Sequence, residues 1–136
     1  MKIKLDDFAF EPVRVHATDA GLDLRAAHGA CVKAKQSATI HTGVHVELPE
    51  GTAGVLLPKS GLMVKHDIIT FGVVDEGFTG QIMVHMINLG NEDYTVMPGD
   101  KVSQMLVVPV RYEPVEIVDE ISGGERKGSG FGSSGR

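Results

Sequence analysis

The sequence has no tryptophan and only one cysteine, Cys31, among its 136 residues. A lone cysteine cannot form a disulfide within the chain, which excludes a disulfide-stapled secreted scaffold. The longest apolar runs are broken by proline, glycine or charge, and they fall short of the roughly 18 residues that a membrane span needs. The N-terminus, MKIKLDDFAFEP, has acidic residues where a signal peptide needs an apolar run. These absences predict a cytoplasmic protein with no membrane partner.

Positive charge is also scarce. The chain has 13 Lys and Arg against 18 Asp and Glu, a formal net charge of −5, and no basic stripe that could follow a phosphate backbone. Direct nucleic-acid binding is therefore not expected. The length fits one compact domain.

Short β-rich runs recur along the chain, and each is bounded by Gly, Pro, Asn or Asp. They occur in GVHVELPEG, AGVLLP, GQIMVHMINLG, YTVMPGD and KVSQMLVVPV. Alternation with period two predicts strands, and many short strands in one small domain predict an all-β barrel or sandwich. No segment of a dozen residues has a helical period, and the best helical candidate is one or two turns over residues 60–65.

The last fourteen residues, GGERKGSGFGSSGR, have a different composition, with six Gly and three Ser. Such a segment loses much backbone entropy when it becomes ordered. The sequence therefore predicts a β-domain over residues 1–122 and a flexible arm over residues 123–136. Phe131 is the single large apolar residue of that arm.

Several polar positions allow two interpretations. In LPKSGL, Lys59 and Ser60 either belong to a plain turn or converge on an anion; the glycines of a Walker loop are missing. Asp75, in GVVDEGFTGQI, is either a turn residue or a carboxylate that deprotonates a water. Asp19 and Asp23 either flank a turn or hold a hydrated Mg²⁺. The rings of His41 and His45, four residues apart on a strand, are too distant to share zinc.

Five segments in register resemble the motifs of the trimeric dUTP diphosphatases, the dUTPases. The segments are AGLDLRAA, PKSGL, GVVDEGFTGQI, GDKVSQMLVVPV and RKGSGFGSSG, and together they extend from residue 20 to residue 135. The resemblance implies a jelly-roll-like (β-clip) barrel that assembles as a homotrimer with active sites between subunits. It also implies Mg²⁺-dependent hydrolysis of dUTP to dUMP and pyrophosphate, which keeps uracil out of DNA and supplies dUMP for dTMP synthesis. In a viral protein, the compartment would be the host cytoplasm.

Carried over motif by motif, the resemblance assigns Asp75 as the residue that binds the sugar 3′-hydroxyl and activates the attacking water. Asp23 resembles the acid that contacts the metal through water. The strand pair from Gly72 to Met83 resembles the hairpin whose main chain recognises uracil. The arm resembles a segment that closes over bound nucleotide, with Phe131 on the base and Arg126 at the phosphates. The substrate-binding residues implied in this way are Lys59, Ser60, Gly61, Gly72, Val73, Val74, Phe78, Met83, Gln104, Arg126, Phe131, Gly132 and Ser133.

The sequence departs from the commonest family pattern in four places, and two of these are predicted site residues. Lys59 stands where many members have Arg, and Phe78 stands where Tyr is usual. Two further functions stay open beside hydrolysis of dUTP. One is a nucleotide-gated regulatory or binding protein on the same scaffold, with a protein partner that the sequence does not identify. The other is the related deaminase of dCTP.

Overall fold

The computed structural model describes residues 1–124, and strands dominate that part of the chain. It contains ten strands and one helix. In chain order they are β1 (Lys2–Leu5), β2 (Leu22–Arg25), β3 (Ala30–Val32), β4 (Ser37–Glu47), β5 (Thr52–Leu57), α1 (Ser60–His66), β6 (Ile68–Thr70), β7 (Gly72–Val74), β8 (Gln81–Asn88), β9 (Tyr94–Val96) and β10 (Lys101–Pro109). Residues 125–136 lie outside the described part.

The strands form three antiparallel sheets. Two have four strands, in the orders β1-β4-β8-β6 and β2-β10-β5-β7, and the third pairs β3 with β9. Strands that are distant in sequence pair with each other, as β2 does with β10, which is typical of jelly-roll topologies. The all-β prediction is confirmed. Within residues 1–124 the recorded pairings give these separate sheets rather than one closed ring of strands.

The core follows from alternation along the strands. In β8 the side chains of Ile82, Val84 and Met86 are buried, whereas Met83 and His85 between them are exposed. Buried hydrophobic residues from both four-stranded sheets, among them Leu24 of β2 and Met105 of β10, belong to one hydrophobic cluster. Each such side chain contributes about 1.5 to 3 kcal/mol on burial, so this cluster stabilises the sheet that positions the site.

Helix α1 occupies the connection between β5 and β6. It begins at Ser60, buries Leu62 and ends at His66, and the C-cap residue Asp67 adopts the left-handed conformation at φ 53°. The predicted helix over residues 60–65 is thus confirmed to within one residue. In the described part of the chain, no helix is long and apolar enough to cross a membrane.

Candidate functional site

The sheet β2-β10-β5 brings together three of the predicted site segments. On β10, Gln104 is opposite Asp23 of β2 on one side and Leu57 of β5 on the other. Directly paired residues project their side chains on the same face of a sheet. Asp23, Gln104 and the turn that follows Leu57 therefore lie side by side.

Side chains of β10 hold that turn. Gln104 Nε2 donates to the carbonyl oxygen of Pro58 at 3.2 Å, and the buried Ser103 hydroxyl donates to the carbonyl oxygen of Leu57 at 2.9 Å. A Cβ atom at Gly21 would lie 2.8 Å from Gln104 Oε1, so a side chain there would displace Gln104. The glycine of the first motif thus leaves room for the glutamine of the fourth.

Asp23 is a buried carboxylate with two lysine partners. Lys59 Nζ donates to its Oδ1, and Lys101 Nζ lies 2.7 Å from its Oδ2. Burial by itself raises the pKa of Asp23, but hydrogen bonds from Lys101 and Lys59 outweigh burial and hold the pKa below its ordinary value. Asp23 therefore remains ionised at neutral pH, although it lies in the sheet.

Asp75 begins the turn between β7 and β8, and its side chain is exposed. The turn is closed by a hydrogen bond of 3.1 Å from the Phe78 N–H to the Asp75 carbonyl oxygen, and Gly77 supplies a positive φ of 84°. Glu76 anchors the turn from the other side, because its Oε2 accepts from the Gly51 N–H at 2.8 Å and from the Tyr112 hydroxyl. The bond from Tyr112, followed by that from Gly51, lowers the pKa of Glu76.

Two neighbouring cavities surround this turn. The smaller cavity, of about 200 Å³, is lined by Leu56, Gly72, Val73, Val74, Phe78, Gln81, Ile82 and Met83. The larger cavity, of about 540 Å³, is lined by Thr52, Ala53, Val73, Asp75, Glu76, Gly77, Val110, Arg111 and Tyr112. Val73 lines both cavities, whereas Asp75 lines only the larger one.

The predicted site residues thus fall into two groups. Asp23, Lys59 and Gln104 lie together on one sheet, with Ser60 and Gly61 at the start of α1. The residues of the predicted hairpin gather around the smaller cavity, Asp75 lines the larger one, and neither cavity is lined by Lys59, Ser60 or Gln104. The predictions for Arg126, Phe131, Gly132 and Ser133 lie outside the described residues.

The predicted pairing of the two strands from Gly72 to Met83 needs correction. Strand β7 pairs with β5, whereas β8 pairs with β4 and β6, so the two strands belong to different sheets. The turn from Asp75 to Gly80 therefore connects the two sheets. The backbone from Gly72 to Met83 is therefore fixed at one end by the sheet of β7 and at the other end by the sheet of β8.

The sequence interpretation missed Lys101 and Glu76. Residues three apart on a regular strand face opposite sides, so Lys101 and Gln104 would not share a face. A bulge between Lys101 and Ser103 shifts the register and lets the lysine reach Asp23. Glu76 had no signal of its own, since its partners at Gly51 and Tyr112 are distant in sequence.

A metal site needs several donor side chains close together. Among residues 1–124, no group of three or more His, Cys, Asp or Glu side chains is placed to hold a metal ion. His41 bonds to Gln81 Oε1, and His45 bonds to Asp6 and to the Thr79 carbonyl oxygen. These two rings therefore make hydrogen bonds within the sheet.

Comparison with known proteins gives consistent matches over nearly the whole chain. A family model described as dUTPase matches residues 10–135. The deoxyuridine 5'-triphosphate nucleotidohydrolase of Clostridium acetobutylicum is 42% identical over 135 residues, which cover 97% of this chain and 93% of that protein.

Solved structures agree with this result. The dUTPase of Staphylococcus bacteriophage 80alpha, with dUpNHpp bound, superposes with a TM-score of 0.92 at 28% identity, covering 99% of this chain and 98% of that one. A variant dUTPase from phage phi11 of S. aureus, whose structure is described as revealing a structural Mg(II) ion, gives a TM-score of 0.81 at 26% identity. That match covers 88% of this chain and 96% of the phage chain.

Proposed function

The chain belongs to the dUTPase family, and on that premise we propose that it hydrolyses dUTP to dUMP and pyrophosphate. The observation that carries the proposal is that Asp75 lines the larger cavity, which shares Val73 with the smaller one. A pyrimidine in the smaller cavity would direct its sugar and first phosphate towards the larger cavity and Asp75.

Recognition of uracil is assigned to the main chain of β7 and β8. Backbone donors and acceptors that are fixed in sheets have set directions, and cytosine would leave some of them buried without a partner. Gly72 lets a base approach closely, since a Cβ atom there would already lie 3.2 Å from Leu56 Cδ1. The partly exposed ring of Phe78 packs against the deoxyribose and excludes a 2′-hydroxyl.

Asp75 acts as general base in this mechanism. It accepts a proton from a water molecule whose oxygen attacks the α-phosphorus in line. The new bond joins that oxygen to the α-phosphorus, the bond to the bridging oxygen breaks, and pyrophosphate leaves. No covalent enzyme intermediate forms. The reaction requires a carboxylate in a defined position, and the turn hydrogen bond together with the anchor at Glu76 fixes the backbone that carries Asp75.

The triphosphate is assigned to the second group of residues and to the arm. Lys59, Ser60, Gly61 and Gln104 would contact phosphate oxygens. In the arm, Phe131 would stack on the base, a contact worth about 1 to 3 kcal/mol, while Arg126 and the segment from Gly132 to Ser133 would meet the phosphates. Closure of the arm would exclude water from these contacts and strengthen them.

Magnesium dependence requires either protein ligands for the ion or a substrate that carries it. Both oxygens of Asp23 accept from lysine, and residues 1–124 contain no group of three metal-binding side chains. The described residues therefore do not fit an ion held directly by protein carboxylates. Mg²⁺ keeps several waters and is commonly bound through substrate phosphates. We accordingly assign the magnesium complex of dUTP as the substrate.

Two features support a homotrimer with sites between subunits. The two groups of site residues do not line a common cavity among those described above, so a second chain could supply the missing half. Large apolar side chains after β10 are also uncovered in one chain, and exposed apolar patches mark interfaces. They are Tyr112, Val115, Ile117 and Ile121, at 69%, 91%, 96% and 86% exposure.

The test is Asp75→Asn, which keeps the shape of the side chain but removes the proton acceptor. We expect kcat to fall by about a thousandfold while KM changes by less than about tenfold. The exposed Asp93→Asn is the matched control and should keep wild-type kinetics. In ¹⁸O-labelled water the wild type should place the label in dUMP. Near-normal turnover of Asp75→Asn, or label in pyrophosphate, would contradict the mechanism.

A regulatory function is the second candidate. It is favoured by the likeness to the 80alpha protein, because that structure is described with phage dUTPases that control transfer of virulence genes. A pure binding protein would show a higher melting temperature with dUTP yet release no pyrophosphate. Measurement of both quantities on one preparation separates the two functions.

A further inference from the structure

Asp23 is a buried carboxylate, and each of its oxygens is occupied by a different lysine. Its side chain is 6% exposed, whereas those of Lys59 and Lys101 are 27% and 36% exposed. Within residues 1–124, Asp23 is the only carboxylate within 4.0 Å of either ammonium group. The cluster therefore combines two positive charges with one negative charge and has an excess of one positive charge.

This environment does not suit a ligand of hydrated Mg²⁺. A carboxylate oxygen can accept two hydrogen bonds, but each oxygen of Asp23 already accepts from one ammonium group, so a metal-bound water would have to share an oxygen with a lysine. The two ammonium groups would also repel a divalent cation. The role of Asp23 must therefore be sought in what it does to the lysines.

The environment does suit the orientation of Lys59. Lysine carries its charge at the end of a flexible four-carbon stem, whereas arginine presents a planar fork. The ion pair with a buried carboxylate fixes the end of that stem next to the turn that Gln104 and Ser103 hold. An ammonium group has three donors, so the bond to Asp23 leaves further donors for phosphate oxygens.

We propose that Asp23 is a positioning residue that acts on the triphosphate through Lys59. Lys101 fixes the orientation of the carboxylate by binding its second oxygen. The inference rests on the proposed function, because a triphosphate is the ligand that Lys59 is assigned to bind. It places the effect of Asp23 on phosphate affinity and not on metal affinity.

The experiment measures the affinity of the full-length protein for dUpNHpp by calorimetry in EDTA, without divalent metal. Lys59→Met should weaken binding by about tenfold, the usual loss for a hydrogen bond to a charged group. Asp23→Asn leaves the cluster with two positive charges, which favours an anion, yet it should also weaken binding by about tenfold because Lys59 loses its orientation; tighter binding would overturn the inference. The double variant should bind within about twofold of Lys59→Met, since both changes remove the same interaction. Lys2→Met, in an exposed pair with Glu47, is the control and should bind like the wild type.

Two further results would overturn the inference alone: losses that multiply in the double variant, or unchanged metal-free affinity of Asp23→Asn with a raised Mg²⁺ requirement. A wild type that does not bind the analogue would overturn the proposed function as well. Should Asp23→Asn fail to fold, Lys101→Met replaces it. That variant should weaken metal-free binding by about threefold and lose its effect in the Lys59→Met background; wild-type affinity would again overturn the inference.

Discussion

At the scale of the residue, the molecule shows how a charge buried in a sheet can be paired with cations at the solvent boundary. Asp23 is nearly inaccessible to solvent, and the two lysines that bind it have access to water. Removal of one partner of such a group is costly, because the remaining charges lose their compensation. We therefore expect Asp23 to contribute to stability as well as to substrate binding.

Asp23→Asn should lower the free energy of unfolding by an amount that depends on pH. The pKa of Asp23 in the folded protein lies below its ordinary value. Its contribution is therefore complete above the unfolded pKa near 4 and is lost as pH falls through the folded pKa. The variant should lose about 1 to 3 kcal/mol of stability at neutral pH.

Melting temperatures of wild type and variant, at equal protein concentration, test this expectation. The gap between them should be large at about pH 7 and should narrow below about pH 4. Asp93→Asn, at an exposed position, should show little gap at either pH. A gap for Asp23→Asn that is the same at both pH values would show that its charge is not the cause.

The individual site residues could be predicted only in part. The order of motifs in the sequence predicts Asp75, Lys59 and Gln104 as site residues, and strand pairing, which the motifs do not state, brings Lys59 and Gln104 together with Asp23. Lys101 could not be predicted, because the bulge that brings it to Asp23 has no signature in residue spacing. The buried ion pair is therefore a product of register, which single residues do not encode.

At the scale of the element, strand length decided what the sequence could predict. Strands β8 and β10 have eight and nine residues, enough for an alternating pattern to be recognised. Strands β6 and β7 have three residues each, too few to establish a period. The sequence also did not reveal that β7 and β8 belong to different sheets, because a short connection between two strands normally predicts a hairpin.

The pairing of β4 with β8 shifts register between His41 and His45, which marks a bulge that contains Gly43. Gly43 has a φ of 67°, and a Cβ atom there would lie 2.7 Å from Ala9 Cβ. Gly43→Ala should therefore combine the strain of positive φ with a steric clash and cost about 2 kcal/mol or more. Gly51→Ala is the matched control, because Gly51 has a φ of 71° but no atom within 4 Å of the added Cβ.

Urea unfolding of both variants at one protein concentration gives the comparison. Gly51→Ala should show the cost of backbone conformation alone, and the additional loss in Gly43→Ala should measure the contact with Ala9. Equal losses in the two variants would mean that the segment containing Ala9 moves away freely. The N-terminal segment would then not be fixed by the bulge of β4.

At the scale of the whole molecule, the two groups of proposed site residues in one chain do not line a common cavity among those described. The residues assigned to the phosphates and those assigned to the base lie in two groups, and the apolar residues that follow β10 are uncovered. Both facts are accounted for by the proposed trimer, in which neighbouring chains complete each site. The periodicity of the sequence carries no information about assembly, so this level could be reached only through the resemblance to a family.

Specificity for the intact nucleotide is the property that depends on all parts of the molecule together. A methyl group on the base, a 2′-hydroxyl on the sugar, or a cytosine edge each conflicts with a different contact of the proposed site. The most direct measurement is pyrophosphate release from dUTP, dTTP, UTP and dCTP under identical conditions with Mg²⁺. We expect dUTP to be hydrolysed at least about a hundredfold faster, by kcat/KM, than the other three. Comparable release from dTTP or UTP, or no pyrophosphate from dUTP, would contradict the account.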